Sequence, residues 1–473
     1  MEQSFFLTRV LGSLAERGDA ILFHRDGVDT TYGEALDLLR RLHFALDVTP
    51  DDVVAIVGGN RPETILVQLA AQLRGATVLL VAASSSLPDR KAAVAAAGVT
   101  VLVVDPEPAE LTAHRVFSLP DLLTGQRTES TTLPRSVRLI FPTGGTTGVP
   151  KLIQHSEIYD GMAYIFTPDP SGPLRTLLVA PMSHMTGNAT VLGAMLRGDS
   201  VVLHEGFDAG AVLEAIAAHR ITTLSLTPAR LAAVLDHPAL ATTDLSSMRS
   251  LSLGASPLSA RRLQQALDTF GPVVGQGYGL TEAPMIASIA ADELLGRPER
   301  LESVGRIVPG MEARIEDGEV VVRGLSMMDG YLGAPPMGDS WLHTGDIGRF
   351  DDEGYLYLLD RANDVIITGE HGTKVYSNVV ENALATHPLV RAAAVIGIPG
   401  ADGELVHAFV VPSAPDALTV PDVQAYALAA FGRPHFVPSS VDFVDTLPLT
   451  PIGKVDKVAL RTPFWSGHTR HIA

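Results

Sequence analysis

Strand-like and helix-like segments alternate along most of the chain, which predicts an α/β protein. The expected architecture is a large N-terminal domain of parallel-rich sheets with helices, carrying a small β-barrel-like part. A small α+β C-terminal domain should follow it. Three observations lead there. The chain has 473 residues, too many for one hydrophobic core, so about two or three domains are expected. Its hydrophobic pattern switches repeatedly between the strand and helix periods. Between Gly305 and Tyr357 the texture changes to short β-rich runs separated by Gly, Pro and Asp.

Taken in order, Thr31-Tyr32-Gly33-Glu34 has the form of a capping box and opens a helix running through Leu46. Val53 to Val57 reads as a buried strand, Pro62 to Leu73 as an amphipathic helix, and Thr77 to Val81 as the next strand. Ala92 to Ala97 suits a helix and Thr100 to Val104 a strand. This succession implies a mainly parallel sheet with right-handed crossovers. The alternation resumes at Val137 and runs to about Gly279. Ala313 to Ile315, Val320 to Val322 and Tyr355 to Tyr357 then predict a small antiparallel barrel or meander. The last stretch is another αβ unit, with a helix from Ser377, a strand at Ala393 to Ile396 and a Pro-rich tail after Leu447. A boundary near Arg361 divides the chain into residues 1–360 and 361–473.

Composition excludes several classes. The chain carries 53 acidic against 35 basic residues, a net charge of −18. A nucleic-acid surface needs clustered Lys and Arg, so none is expected. A nucleotide substrate remains compatible, because a Gly-rich nest and a lysine hold a triphosphate locally. The absence of cysteine rules out disulfides, thiolate metal sites and a cysteine nucleophile. No stretch approaches the ~18–20 apolar residues of a membrane span. Met1 to Asp19, with Arg9 and Glu16, does not read as a signal peptide. A cytoplasmic enzyme is expected.

The sharpest chemical feature is Phe141-Pro142-Thr143-Gly144-Gly145-Thr146-Thr147-Gly148-Val149-Pro150-Lys151, directly after the strand-like Val137 to Phe141. Glycines let the backbone turn its N–H groups inward, threonines add hydroxyl donors, and Lys151 adds positive charge, as phosphate oxygens require. A bare surface loop needs neither the threonines nor the closing Pro-Lys. No Lys-Ser or Lys-Thr pair follows a glycine, so this is not a Walker loop. Two other patterns mislead. Gly275 to Leu280 mimics a dinucleotide fingerprint, but Leu280 occupies the third glycine position. His468 and His471 have no third ligand nearby and read as tail residues.

The glycine- and threonine-rich segment resembles the phosphate loop of the adenylate-forming superfamily: acyl-CoA synthetases, luciferases and peptide-synthetase adenylation domains. Further segments resemble that family's motifs in the same order. Gly254-Ala255-Ser256-Pro257-Leu258 is similar to its adenine-contacting loop, and Gln276-Gly277-Tyr278-Gly279-Leu280-Thr281-Glu282 to its Tyr-Gly-x-Thr-Glu motif. Trp341-Leu342-His343-Thr344-Gly345-Asp346 is similar to its ribose-binding motif. Asp360-Arg361 resembles the start of its hinge, with Asn363 at the hinge position. Thr450-Pro451-Ile452-Gly453-Lys454 resembles its C-terminal catalytic loop. Gly305 to Gly310 and Met328-Asp329-Gly330-Tyr331 are weaker echoes. The match covers essentially the whole chain.

The resemblance implies an ATP-dependent, AMP-forming ligase. An acid oxygen attacks the α-phosphate and pyrophosphate leaves. The small, mobile C-terminal domain then turns about Arg361–Asn363, and a thiol of CoA or a carrier protein displaces AMP. It assigns nucleotide contacts to Thr143, Gly144, Gly145, Thr146, Thr147, Gly148 and Lys151, and to Gly254, Ala255, Ser256, Gly277, Tyr278, Gly279 and Thr281. Glu282, a hard oxygen ligand, suits Mg2+ bridging the phosphates. Asp346 offers two acceptor oxygens to the ribose hydroxyls, and Arg361 adds ribose or phosphate contacts. Lys454 is the group expected to neutralise charge growing on the α-phosphate. His184 falls at the family's aromatic-His gate. The acid pocket is expected from His184, Asn188, Gly277, Ala283, Pro284 and Met285.

One segment departs from the family pattern. The turn at Gly369 to Lys374 is longer than usual, and Ser377 stands where proline is usual. The expectation is intact adenylation with poor transfer to free CoA. Two alternatives remain beside the acid–thiol reading. One is ATP-dependent activation of nitrite to diazotise an aryl amine, as some relatives in natural-product pathways do. The other is a nonenzymatic sensor of ATP or acyl-AMP. Glu282, Asp346 and Lys454 argue against the sensor, which needs no transition-state lysine.

Overall fold

The computed structural model describes residues 3–105, 110–124, 132–143, 151–369, 371–401, 403–450 and 453–466. Among these residues the N-terminal part is built on two large sheets, one of seven strands and one of nine. The seven-stranded sheet has a parallel centre of Thr77–Ala82, Val53–Gly58 and Val101–Val104. These are near-continuous apolar runs because both faces are covered.

The helix Pro62–Leu73 is buried at every residue except Glu63. The expected helix is thus present but buried nearly all round rather than amphipathic, packed between the helix Tyr32–Ala45 and the sheet. The capping box of Tyr32–Ala45 forms as expected: Glu34 N–H donates to Thr31 Oγ1 and Thr31 N–H to Glu34 Oε2. The helix expected at Ala92 spans Leu87–Ala96 instead, started earlier by the Ser86 cap and Pro88.

In the nine-stranded sheet, Val274–Tyr278, Ser250–Gly254, Thr223–Leu226, Arg175–Leu178, Ser200–Leu203 and Ile21–Arg25 run parallel in that order. The carboxyl ends of these strands lead into Gly254-Ala255, Thr227, Val179 and Gly279. In open α/β sheets, ligands bind in the crevice at those ends.

The β-rich stretch forms a four-stranded antiparallel sheet, Met311–Glu316, Glu319–Gly324, Leu342–Phe350 and Leu356–Arg361, the meander of the two expected forms. After it come a hairpin, Ile366–Thr368 with Thr373–Val375, and a three-stranded sheet, Val390–Gly400, Gly403–Pro412 and Ser440–Phe443. The helices Ser377–Ala385 and Val420–Phe431 cover this sheet, and the unit has its own core around Ile366, Val380, Val395 and Val410. No helix among the described residues is long and apolar enough to cross a membrane.

Candidate active site

Asp346 lies within the strand Leu342–Phe350, directly opposite Arg361 on the neighbouring strand. Tyr278 Oη donates to its Oδ2 at 2.6 Å and Arg361 Nη1 to its Oδ1 at 2.8 Å. Burial, then the Asp346 charge, pushes the Tyr278 phenol up, so it remains a neutral donor. Burial works against the Arg361 charge, but Asp346 outweighs it and the net shift is upward. Each carboxylate oxygen retains a free lone pair, enough to accept from two neighbouring hydroxyls.

The Thr281–Glu282 turn follows the strand Val274–Tyr278. Leu280 N–H donates to Ala283 O and Ala283 N–H to Leu280 O, closing the turn. A Cβ at Gly279 would lie 2.2 Å from Pro284 O, so only glycine fits there. Glu282 Oε1 accepts from Tyr331 Oη at 3.1 Å. No three His, Asp or Glu side chains among the described residues converge as a metal cage. A divalent cation at Glu282 would therefore complete its shell with phosphate oxygens and water, as Mg2+ does in nucleotide sites.

The C-terminal loop reaches the same region. Gly453 takes φ +81°, and Thr227 Oγ1 donates to its carbonyl at 3.3 Å. A side chain at Gly453 would sit 3.2 Å from Thr227 Oγ1 and 3.3 Å from Arg230 Nε. The Lys454 ammonium is lowered by burial and by Arg361, while Asp346 and Glu282 pull it up. One lysine from the far end of the chain thus feels both carboxylates. Pro451 and Ile452 lie outside the described residues.

His184 caps the helix Met185–Arg197, and its Nε2 is buried without a hydrogen-bond partner. Burial, then Lys454 and Arg230, pushes its pKa down to about 4, so the imidazole is neutral near pH 7. Sequence reasoning missed Arg230. It is 8% exposed, its Nη1 donates to Val179 O at 3.3 Å, and its guanidinium lies 5.3 Å over the Phe207 ring. Burial lowers its pKa with no carboxylate among the described residues to offset it. The only signal would have been the topology, which puts residue 230 at the carboxyl end of a parallel strand.

Other expected residues fall as follows. Ala255 takes φ +70°, a left-handed conformation unusual for a residue with a Cβ. Ser256 Oγ is buried with no partner, a donor left for a ligand. A Cβ at Gly254 would lie 2.7 Å from Gly277 O, so the glycine at 254 lets the neighbouring strands end close together. Thr143 pairs with Lys151 across the base of the phosphate-loop candidate. Gly144, Gly145, Thr146, Thr147 and Gly148 lie outside the described residues, as do His468 and His471. Asn363 sits in the 3-10 turn Ala362–Asp364.

The residues of the expected acid pocket differ in burial. Asn188 is fully buried, and its amide pairs reciprocally with Gln68 at 2.7 and 3.4 Å. Its amide is thus satisfied by Gln68. Ala283 is likewise fully buried, whereas Met285 is 45% exposed and Pro284 half-buried.

Residues 12–332 match the AMP-binding enzyme family, and residues 379–454 match the AMP-binding enzyme C-terminal domain. The chain is 34% identical to a medium/long-chain-fatty-acid–CoA ligase, FadD8, of Mycobacterium tuberculosis, over 89% of this chain and 82% of the relative. It is 33% identical to a feruloyl-CoA synthase of an Amycolatopsis species, over 93% and 94%. The amide bond synthetase McbA of Marinactinospora thermotolerans superposes with a TM-score of 0.86 at 33% identity, covering 97% of this chain and 99% of that one. With these relatives and the convergence of Lys454 on Asp346 and Glu282, the chain belongs to the AMP-binding enzymes of the adenylate-forming superfamily, as an ATP-dependent, AMP-forming ligase that adenylates an acid.

Proposed function

We propose that this enzyme activates a carboxylic acid with Mg2+ and ATP and passes the acyl group to the thiol of CoA. The observation that carries the reading is Lys454, delivered by the C-terminal loop to the neighbourhood of Asp346, Glu282 and His184. The ribose diol is held by Asp346, braced by Tyr278 and Arg361. The adenine end meets the Gly254–Ser256 loop, whose buried hydroxyl lacks a partner. Magnesium at Glu282 would neutralise charge on the departing pyrophosphate. Lys454 stabilises the charge that builds on the α-phosphate as the acid oxygen attacks. We divide the chain at Arg361, so that residues 361–473 carry Lys454 in and out. The CoA-ligase relatives support a thiol acceptor, and a cysteine-free chain with these substrates fits the cytoplasm. Nitrite activation and passive sensing are not favoured by these relatives.

A second reading keeps the adenylation and makes the acceptor an amine. The resemblance to an amide bond synthetase over nearly the full length of both chains supports it, as does the long turn at Gly369 to Lys374. A single assay separates the readings: AMP release with a panel of acids, analysed for thioester with CoA and for amide with amines. Replacing Lys454 by alanine should lower acid-dependent AMP formation by about two to four orders of magnitude with any acceptor. Activity retained within about tenfold of the parent would sink the adenylation site as drawn.

A further inference from the structure

The motif Met328-Asp329-Gly330-Tyr331 has no role in the scheme above, yet it forms the two-residue strand Gly330–Tyr331 beside the strand Lys151–His155. Its placement is fixed from several sides. Asp329 N–H donates to Gln154 O and Ser156 N–H to Asp329 Oδ1, while Leu332 N–H donates to Leu152 O. Gly330, with φ +152°, opens the strand.

Tyr331 emerges from this clamp between two groups assigned to the triphosphate. Its hydroxyl donates to Glu282 Oε1 at 3.1 Å, and its ring centroid lies 5.2 Å from Lys151 Nζ. The same pair of strands holds the turn itself. His155 Nε2 donates to Thr281 O at 2.7 Å, and Met328 N–H donates to Glu282 O at 2.7 Å. The backbone of the Thr281–Glu282 turn is thus anchored twice. Tyr331 restricts the remaining freedom, the rotation of the carboxylate.

We propose that Tyr331 is a positioning residue that orients the Glu282 carboxylate toward the phosphate-bound metal and supports Lys151 on the other side of the triphosphate. A hydroxyl on one carboxylate oxygen leaves the second oxygen aimed and free, as a monodentate hard-cation ligand requires. The ring contributes a cation–π contact to the lysine without neutralising its charge. The inference rests on the reading of Glu282 as the metal ligand.

The test is calorimetric ATP binding without turnover, with Mg2+ and with EDTA, for the parent, Glu282→Gln, Tyr331→Phe and Tyr331→Leu. The quantity read is the metal increment, the ratio of the two affinities. The parent should show an increment and Glu282→Gln should erase it. Tyr331→Phe should lower it by roughly tenfold, the loss of one hydrogen bond to a charged group, while leaving metal-free affinity unchanged. Tyr331→Leu should lower the increment equally and also weaken metal-free binding by roughly twofold to fivefold, through Lys151. A merely structural role would lower both affinities together, or the ligand-free Tm alone, and either result overturns the proposal. An increment lost in Glu282→Gln but intact in Tyr331→Phe overturns it while sparing the metal ligand. An increment that survives Glu282→Gln removes the metal ligand and the inference with it.

Discussion

The imidazole of His184 is buried beside Lys454 and Arg230, and all three influences disfavour its charged form. Its folded pKa of about 4 lies below the ordinary 6.5. Between those values the unfolded chain binds more protons than the folded one, so stability rises with pH in that window. His184 therefore contributes full stability above about pH 6.5 and loses it as the pH falls toward about 4. A His184→Gln variant cannot take up that proton. Its Tm should fall less than the parent's between about pH 7 and about pH 5. Equal slopes would mean the imidazole is solvated in the folded state. At this scale the sequence motifs name candidates where the chemistry sits within a short run, as with Thr281-Glu282 or Gly453-Lys454. They failed where chemistry depends on a distant neighbour. Arg230 stands out because Val179 and Gly453 come to it, and the pairing of Asn188 with Gln68, which lies on another helix, has no signal in either local sequence.

Elements were legible where local rules agree with the fold. The capping box at Thr31 and the alternation of apolar strands with helices are of that kind. Two-residue strands such as Gly330–Tyr331 are invisible because their pairing is set by the neighbouring strand rather than by their own pattern. The departure at Ser377 has a local explanation. Ser377 begins the helix Ser377–Ala385, and both its N–H and its hydroxyl donate to Asp360, the hydroxyl at 3.0 Å. Proline there would remove the N–H donor. Lys457 then donates to Ser377 Oγ at 2.7 Å and pairs with Glu381 at 2.7 Å. Burial opposes the Lys457 charge, but Glu381, Asp360 and Asp364 outweigh it and raise its pKa. Lys457→Met should destabilise the C-terminal unit by about 3–5 kcal/mol, because a buried carboxylate is left without its cation. Chemical denaturation reads this directly, and a change below about 1 kcal/mol would show that the network is not a charged one. In the hairpin Ile366–Val375, Gly369 and Gly372 are both left-handed, and His371 and Lys374 are exposed.

At the scale of the whole molecule, the question is how one lysine serves a first step and then leaves room for an acceptor. The proposed function makes the arrangement with Lys454 near Asp346 and Glu282 the one for adenylation, and contacts across the proposed boundary hold it. Thr227 binds Gly453 O, Arg261 Nη2 donates to Val390 O at 2.9 Å, and Asp360 accepts from Ser377 across the proposed hinge residues. Each must yield if residues 361–473 turn to present a different face. Thr227 is the most informative because it touches the loop that carries Lys454. Thr227→Val keeps the side-chain shape and removes one hydrogen bond made only while the lysine is docked. Acid-dependent ATP–pyrophosphate exchange should slow by about two- to tenfold, the worth of one neutral hydrogen bond. Transfer from preformed acyl-AMP to the acceptor should be unchanged or faster, because the contact opposes departure. Single-turnover measurement of the two half-reactions makes the comparison. Equal slowing of both would reduce the Thr227 contact to general fold support, and unchanged exchange would show that it contributes nothing to docking the loop.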